Sequence, residues 1–240
     1  MRYVALGCDY DGTLAQCGAV SSATIDALVR VRVSGRKILL ITGRIIEDLR
    51  IVCDCLELFD RVVGENGAVL YNPATREQRM LAKPPPGVFI QTLRERGVHP
   101  LAAGQVIVAA REPHTPVVLQ TIRDLELSLQ IVPNREAIMV LPVGVNKGSG
   151  LTVALQELDL CPQSTVGVGD AENDLALLDA CGLGVAVANA VPLLKDAADF
   201  VTRGARGAGV AELIERLLLS KPYPAELDSH SAAPPPSTCA

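Results

Sequence analysis

Short apolar runs alternate with amphipathic segments along most of the chain. The runs are rich in Val, Leu and Ile and end in polar turns, which predicts buried strands, whereas apolar residues three and four positions apart predict helices. The predicted strands are YVALGCDYDG, KILLITGR, the two halves of DRVVGENGAVLYN, STVGVGD and GLGVAVAN. The predicted helices are SSATIDALVRVRVSG, IIEDLRIVCDCLEL, GSGLTVALQELDL, AENDLALLDAC, VPLLKDAADFV and GVAELIERLLLS. This alternation predicts an α/β fold, a Rossmann-like doubly wound parallel sheet whose ligand site lies at the carboxyl ends of the strands.

Three consecutive prolines at positions 84–86 interrupt the alternation, because proline cannot continue a helix or a central strand. Beyond them, the stretches VFIQTLRERG, QVIVAAR, TPVVLQTIRDLEL, LQIVP and AIMVLP predict a small α+β unit. We therefore predict a core domain formed by residues 1–82 and 144–219, with an inserted α+β domain at residues 83–143. The tail at residues 220–240 is rich in Pro, Ala and Ser and is predicted to be disordered.

The composition is typical of a compact globular protein, with 49% hydrophobic and 20% charged residues. A net charge of −5 argues against a nucleic-acid partner, because binding to a phosphate backbone needs clustered Lys and Arg. No apolar run approaches the roughly 18 residues of a membrane helix, so no membrane partner is predicted. Seven cysteines without zinc-type spacing, and no basic leader segment, favour a cytoplasmic location. The oligomeric state is left open.

Several polar turns follow the predicted strands and should meet at one edge of the sheet. They contain Asp9, Asp11 and Thr13, then Thr42, Gly43 and Arg44, then Asn146 and Lys147, and finally the stretch GDAEND that includes Asp170, Asn173 and Asp174. So many carboxyl groups would raise each other's pKa values, and a bound divalent cation would remove that conflict. Hard oxygen ligands without His or Cys favour Mg²⁺, and a lysine with a threonine hydroxyl suits a phosphoryl group. The constellation therefore predicts magnesium-dependent phosphoryl transfer.

Four of these stretches resemble a known family. DYDGT, ITGR, NKGSGL and GDAENDLALL are similar, in order and spacing, to the motifs of the haloacid dehalogenase (HAD) phosphohydrolase superfamily. GENGAVLY and GLGVAVANAVPLLKDAADFVT further resemble the Cof-type subgroup, subclass IIB, in which an α/β cap is inserted between the second and third motifs. The resemblance covers residues 1–218, and the short cap is similar to that of phosphoglycolate phosphatase-like members.

The resemblance implies a role for each matching carboxyl group. Asp9 matches the nucleophile that attacks phosphorus and forms an aspartyl-phosphate, and it would also ligate Mg²⁺. Asp11 matches the general acid and base, and its backbone carbonyl matches a second metal ligand. Asp170 matches the third protein ligand of the metal. Asp174 would lie behind these ligands and fix Lys147 or a metal-bound water.

The resemblance also implies a phosphate-binding set, formed by Thr42, Gly43, Lys147 and Asn173, which would hold the phosphoryl oxygens. In this family the cap selects the leaving group. The polar cap residues predicted to face the site are Arg111, Glu112, His114, Asn134, Arg135 and Glu136. Together with Arg44, the arginines Arg111 and Arg135 suit a substrate with a second anionic group, such as phosphoglycolate or a phosphorylated sugar acid; alternatively, they are ordinary surface residues.

The function predicted from the sequence is hydrolysis of a small phosphomonoester, a sugar phosphate or a phosphoglycolate-like compound. A phosphomutase or phosphotransferase is the nearest alternative, because transfer to an alcohol begins with the same aspartyl-phosphate. A catalytically silent binding or regulatory module is a third possibility, disfavoured by the complete set of acids and lysine. Dehalogenation is disfavoured because it needs no metal and phosphate site.

Overall fold

The protein is described here from a computed structural model, which covers residues 3–218 of the chain. The tail at 220–240, predicted to be disordered, lies outside the described residues. The strands are β1 (Ala5–Cys8), β2 (Ala15–Gln16), β3 (Ala19–Val20), β4 (Lys37–Ile41), β5 (Arg61–Gly64), β6 (Val69–Tyr71), β7 (Gln78–Met80), β8 (Leu101–Ala103), β9 (Val108–Arg111), β10 (Leu129–Asn134), β11 (Ala137–Pro142), β12 (Thr165–Gly169), β13 (Leu183–Ala186) and β14 (Phe200–Val201). The α-helices are α1 (Ser22–Val33), α2 (Ile46–Val52), α3 (Gly87–Glu95), α4 (Thr115–Asp124), α5 (Lys147–Gln156), α6 (Leu175–Asp179), α7 (Pro192–Ala197) and α8 (Arg206–Leu218).

An eight-stranded sheet forms the core, in the order β14-β13-β12-β1-β4-β5-β6-β7. The six strands from β14 to β5 are parallel, and β6 and β7 add an antiparallel edge. Strand β1 lies at the centre, with Ala5 opposite Thr165 of β12 on one side and Lys37 of β4 on the other. The predicted α/β fold with a parallel sheet is therefore confirmed.

Helices cover both faces of this sheet, and strand β4 shows how the sequence produces that arrangement. Ile38 and Leu40 point into an apolar cluster that includes residues of α1, α2 and α8, whereas Leu39 and Ile41 point into a cluster with α5 and α6. Successive side chains of a strand point to opposite faces, so a strand buried on both faces must be apolar at every position. This is why KILLI contains a continuous aliphatic run.

A second, four-stranded antiparallel sheet lies between the prolines and α5, in the order β10-β11-β9-β8. Helices α3 and α4 cover one of its faces, where Phe89, Leu93, Val118 and Ile122 pack against Val108, Ala110, Ile138 and Val140. The predicted α+β unit is therefore present, and we call it the cap. Its domain limits at residues 83 and 143 stay a prediction.

Local differences from the sequence prediction occur where elements are short. The helix predicted through IIEDLRIVCDCLEL ends at Val52, because Cys53 has extended backbone angles, and a 3-10 turn follows at Leu56–Leu58. The helix predicted through VPLLKDAADFV ends at Ala197, and its last residues form β14. Strands of two or three residues, among them β7 and β8, carry too few positions for a period to be recognised.

No helix within residues 3–218 is long and apolar enough to cross a lipid bilayer. The six cysteines of this region are free thiols, of which Cys8, Cys53 and Cys55 are buried and Cys17 is exposed. The cytoplasmic location stays a prediction.

Candidate active site

The carboxyl ends of the central strands bring the polar turns together. Asp9 follows β1 and Thr42 follows β4, while Asp170 follows β12 on the other side of β1. Lys147 is the first residue of α5, whose start is fixed by a capping box: the Asn146 side chain accepts a hydrogen bond from the Ser149 backbone, and the Ser149 hydroxyl accepts one from the Asn146 backbone. Four chain segments thus meet at one edge of the sheet.

Lys147 is buried between two carboxylates. Its Nζ lies 2.6 Å from Asp9 Oδ1 and 2.6 Å from Asp174 Oδ1. Burial alone would lower the pKa of Lys147, but the charges of Asp174 and Asp9 outweigh burial and raise it above the ordinary value. Lys147 is therefore positively charged, and its ammonium group bridges the carboxylates of Asp9 and Asp174.

Asp9 is also buried, and its backbone N–H donates to the Val168 carbonyl at 2.9 Å. Burial and the neighbouring charges of Asp174 and Asp170 raise the pKa of Asp9 well above its usual range, against the lowering influence of Lys147. One carboxylate oxygen, Oδ1, is held by the lysine. The strand and the lysine thus fix the orientation of this side chain.

Oxygen atoms of Asp9, Asp170 and Asp174 lie within 4.8 Å of one another. Asp174 already has partners at both oxygens, Lys147 at Oδ1 and the backbone N–H groups of Asp170 and Ala171 at Oδ2. Both oxygens of Asp174 are thus already hydrogen-bonded within the protein, and its place behind the metal ligands stays a prediction. The donors of Asp9 and Asp170 are hard oxygens, which fit Mg²⁺.

The turn after Asp11 leaves room for that cluster only because residue 12 is glycine. Gly12 has a φ of +83°, and a Cβ at this position would collide with the Asp170 carboxylate. Asp170 itself accepts a hydrogen bond from Thr13 Oγ1 at 3.1 Å and forms an ion pair with Arg135 of the cap. Burial raises the pKa of Asp170, although Arg135 acts in the opposite direction. A cation bound beside Asp170 would relieve the same crowding of negative charge.

Asp11 lies nearer to solvent than Asp9 and forms a two-pronged ion pair with Arg44. Arg44 Nε is 2.6 Å from Asp11 Oδ2, and the second guanidinium contact to Oδ1 is 2.7 Å. The Arg44 guanidinium also lies 5.6 Å from the centre of the Tyr10 ring. Arg44 is thus at the site, as predicted, but in this structure its donors are turned toward Asp11.

A cavity of about 150 Å³ opens between this edge of the sheet and the cap. From the core it is lined by the predicted residues Asp9, Asp11, Thr42, Gly43, Arg44, Lys147 and Asn173. The Thr42 hydroxyl accepts from the Arg44 backbone N–H at 3.1 Å, which leaves its own proton free to donate. The cap contributes Asn134 and Met139. The predicted phosphate-binding residues therefore face one common space.

The cap residues predicted to face the site separate into two groups. Arg135 reaches Asp170, and Asn134 lines the cavity. Arg111 and Glu136 instead line an open groove of about 370 Å³ on the cap, where their charged groups are 3.9 Å apart. Glu112 is exposed, and the His114 ring is hydrogen-bonded to the His99 carbonyl. Neither residue lines the cavity.

Sequence reasoning missed three residues that support the site. Glu65 and Asn66 form a turn directly after β5, and the Asn66 side chain accepts a hydrogen bond from Asn173 at 3.0 Å. Asn189 donates to the Gly12 carbonyl at 2.8 Å. Strands β5 and β13 run parallel to β1 in the same sheet, so the polar residues after them lie at the edge already used to group the other turns. That rule, applied to GENG and VAN, could have found all three.

Comparison with known proteins shows the family of the chain. A family model described as haloacid dehalogenase-like hydrolase matches residues 6–113 and 102–214. A phosphoglycolate phosphatase of Methanothermobacter thermautotrophicus is 30% identical over 227 residues, which is 91% of this chain and 99% of that protein. One from Haloarcula marismortui is 32% identical over 217 residues, covering 86% of this chain and 93% of that protein. The solved structure of the HAD subclass IIB sugar phosphatase BT4131 superposes with a TM-score of 0.75 at 21% identity, covering 90% and 99% of the two chains.

The chain therefore belongs to the haloacid dehalogenase-like hydrolases. Within that family it is a phosphatase, and its resemblance to the Cof-type subgroup is confirmed. The prediction of an enzyme rather than a silent module is confirmed as well.

Proposed function

We propose that the protein hydrolyses a small phosphorylated metabolite through an aspartyl-phosphate on Asp9, with Mg²⁺ as cofactor. The observation that carries this proposal is the buried contact of Lys147 with Asp9 and Asp174 beside a cavity that Asp11 also lines. A carboxylate held by a fixed cation next to a second, solvent-accessible carboxylate can serve as nucleophile while its neighbour moves protons.

In the first step, a carboxylate oxygen of Asp9 attacks phosphorus, and the bond from phosphorus to the leaving oxygen breaks. Asp11 gives its proton to that leaving alkoxide. In the second step, Asp11 takes a proton from water as the water oxygen attacks the phosphorus of the aspartyl-phosphate. Inorganic phosphate leaves, and the Asp9 carboxylate is restored.

The other residues bind and orient the phosphoryl group. Lys147 and the proton of the Thr42 hydroxyl would offset the negative charge that develops on the phosphoryl oxygens. Asn173, which also lines the cavity, would add a side-chain contact. Asp9, the backbone carbonyl of Asp11, and Asp170 would hold Mg²⁺, which when bound draws negative charge away from the phosphoryl oxygens.

The substrate class rests on the cationic groups near the cavity. Arg44 and Arg135 both approach the site, and a guanidinium binds a carboxylate in two-pronged geometry. A substrate with a second anionic group, such as phosphoglycolate or a phosphorylated sugar acid, would use them. The names of the two curated relatives, both phosphoglycolate phosphatases, support the same class.

Phosphate release from a panel of phosphomonoesters should require Mg²⁺. We expect release from phosphoglycolate or a sugar phosphate to stop on addition of EDTA and to return when Mg²⁺ is added in excess. The measurement is a coupled assay for inorganic phosphate, with an acceptor alcohol present in parallel reactions. Full activity in EDTA would contradict the role of the cation, and transfer to the alcohol that outruns release to water would establish a phosphotransferase instead.

The Arg135→Ala variant should lose preference for anionic substrates. We expect its kcat/KM for phosphoglycolate, relative to that for glycerol phosphate, to fall by about tenfold, since hydrogen bonds to charged groups contribute about 1.5–3 kcal/mol. Arg111→Ala, which removes the same kind of side chain from the outer groove, is the matched control and should leave the ratio unchanged. An equal loss on both substrates in Arg135→Ala would show that Arg135 serves Asp170 and not the substrate.

A further inference from the structure

Glu65 is a buried carboxylate that the proposed reaction does not use. Its Oε1 accepts a hydrogen bond from the backbone N–H of Gln105 at 2.9 Å, and its Oε2 accepts from Val106 at 2.7 Å and from Ile107 at 2.8 Å. Among residues 3–218, Glu65 has no ion-pair partner. The carboxylate is therefore satisfied by three consecutive backbone donors, all from the segment that links β8 to β9 of the cap.

The cap segment is shaped to receive this carboxylate. Gly104 begins it, and a Cβ at that position would lie 2.6 Å from the Glu65 carboxylate, closer than van der Waals contact allows. Val106 and Ile107 are buried, and they belong to the same apolar cluster as Met139 of the cap and Ile46 of the core. The contact is thus a packed junction between core and cap.

The turn that carries Glu65 also contacts the catalytic turns. The Glu65 backbone N–H donates to the Arg44 carbonyl at 2.9 Å, and that of Asn66 donates to the Thr42 carbonyl at 2.9 Å. The Asn66 side chain binds Asn173, which lines the cavity. One short turn therefore joins the cap segment to two of the segments that form the site.

This turn is held in an unfavourable backbone conformation. Glu65 and Asn66 have φ values of +50° and +56°, a region that glycine adopts readily and a glutamate rarely does. Such conformations persist where surrounding contacts fix them, and they cluster at functional sites. A glycine would relieve the strain, but it would also remove the carboxylate.

We propose that Glu65 is a positioning residue that fixes the cap over the catalytic turns, so that Asn134 and Met139 line the cavity and Arg135 reaches Asp170. It acts on the reaction through the cap and touches no reacting atom. The inference rests on the proposed function for its effect on catalysis, but the junction itself can be tested without any turnover.

Amide hydrogen exchange tests the junction directly. In Glu65→Gln the side chain keeps its size but replaces one acceptor oxygen with an NH₂ group that faces backbone donors. We expect the amides of Gln105, Val106 and Ile107 to exchange about tenfold faster or more, given the strength of hydrogen bonds to a carboxylate, while amides of the core strands keep their rates. Asp60→Asn is the matched control, because Asp60 also accepts a backbone N–H, that of Ile38, away from the cap. Unchanged exchange at residues 105–107, or equal acceleration throughout the chain, would overturn the proposal.

Kinetics then test the effect on catalysis. With Glu65→Gln we expect kcat/KM for phosphoglycolate to fall several-fold, because KM rises. We expect a smaller fall in kcat/KM for p-nitrophenyl phosphate, because its planar leaving group depends less on contacts with the cap. An equal loss on both would contradict a positioning role. If wild-type protein hydrolysed neither compound, the proposed function would fail while the exchange result still decided the junction.

A second variant approaches the same contact from the cap. Gly104→Ala places a methyl group against the Glu65 carboxylate and leaves every core residue intact. We expect the same faster exchange at residues 105–107 and the same shift in KM. This variant decides the question should Glu65→Gln fail to fold, and wild-type behaviour of Gly104→Ala would overturn the proposal.

Discussion

Replacing Asp9 with Asn is expected to abolish phosphate release, with kcat reduced by at least about 10⁴-fold, because an amide oxygen is a far weaker nucleophile than a carboxylate oxygen. The fold should survive, since Lys147 keeps Asp174 as its partner and Asn has the shape of Asp. Rapid quenching of wild-type enzyme with a radiolabelled phosphomonoester should trap an acid-stable, alkali-labile phosphoprotein. The variant should trap none.

The control for this variant is Asp199→Asn. Asp199 accepts a hydrogen bond from the Gly184 backbone at 2.7 Å, far along the chain from the cavity-lining residues. Its replacement should change stability modestly and leave kcat near the wild-type value. Trapped phosphoprotein in Asp9→Asn, or substantial turnover by that variant, would show that another group attacks phosphorus.

Lys147→Met should lose both stability and activity. The variant leaves Asp9 and Asp174 buried without their shared cation, and removing one partner of a buried ion pair costs about 3–5 kcal/mol. Met is similar in length and apolar, so the loss reports charge and not volume. Urea unfolding measures the free energy, and phosphate release measures the loss of charge stabilisation on the phosphoryl oxygens.

Lys37→Met provides the comparison for the same substitution at an exposed ion pair. Lys37 Nζ lies 2.9 Å from Asp60 Oδ1, and pairs of this kind contribute at most about 1 kcal/mol. The free energies of unfolding of Lys147→Met and Lys37→Met should therefore differ by more than about 1 kcal/mol. A smaller difference would mean that Asp9 and Asp174 take up protons or rearrange when the lysine is absent.

The core of the fold was predictable because its strands are buried on both faces. Runs such as ILLI and VGVG carry an unbroken apolar signal. The cap was recognised by its prolines and its changed pattern. Strand pairings within it were not, since the order β10-β11-β9-β8 depends on contacts between segments that no local period describes.

The residues grouped at the sheet edge were predictable for a different reason. Because β12, β1 and β4 are adjacent parallel strands, the residues that follow them lie at the same edge of the sheet, and this holds for any loop conformation. Side-chain direction does not follow from that rule. The pairing of Arg44 with Asp11, and the separation of Arg135 from Arg111, depend on rotamers and on the bend of the β10–β11 hairpin, where Arg135 has a φ of +53°.

Glu65 shows what a motif search leaves out. The stretch GENG resembles a family motif and forms the turn between β5 and β6. Its function in the structure comes from partners about 40 positions later in the chain, whose only recognisable feature is a glycine at 104. Backbone N–H groups are common to every residue except proline, so a contact that depends on them cannot be recognised from residue types.

The central place of β1 has a consequence for how the chain acquires activity. Ala5 pairs with Thr165, so the first strand cannot complete its hydrogen bonding until the segment after the cap has been synthesised. Contacts of such wide sequence separation form slowly, because the intervening loop must lose entropy before they are made. During synthesis on the ribosome, Asp9 therefore cannot contact Lys147 or Asp170 until the segments after the cap have been made. We expect nascent chains that end within the cap to be catalytically inert, and the aspartate cluster to assemble as one of the last events of folding.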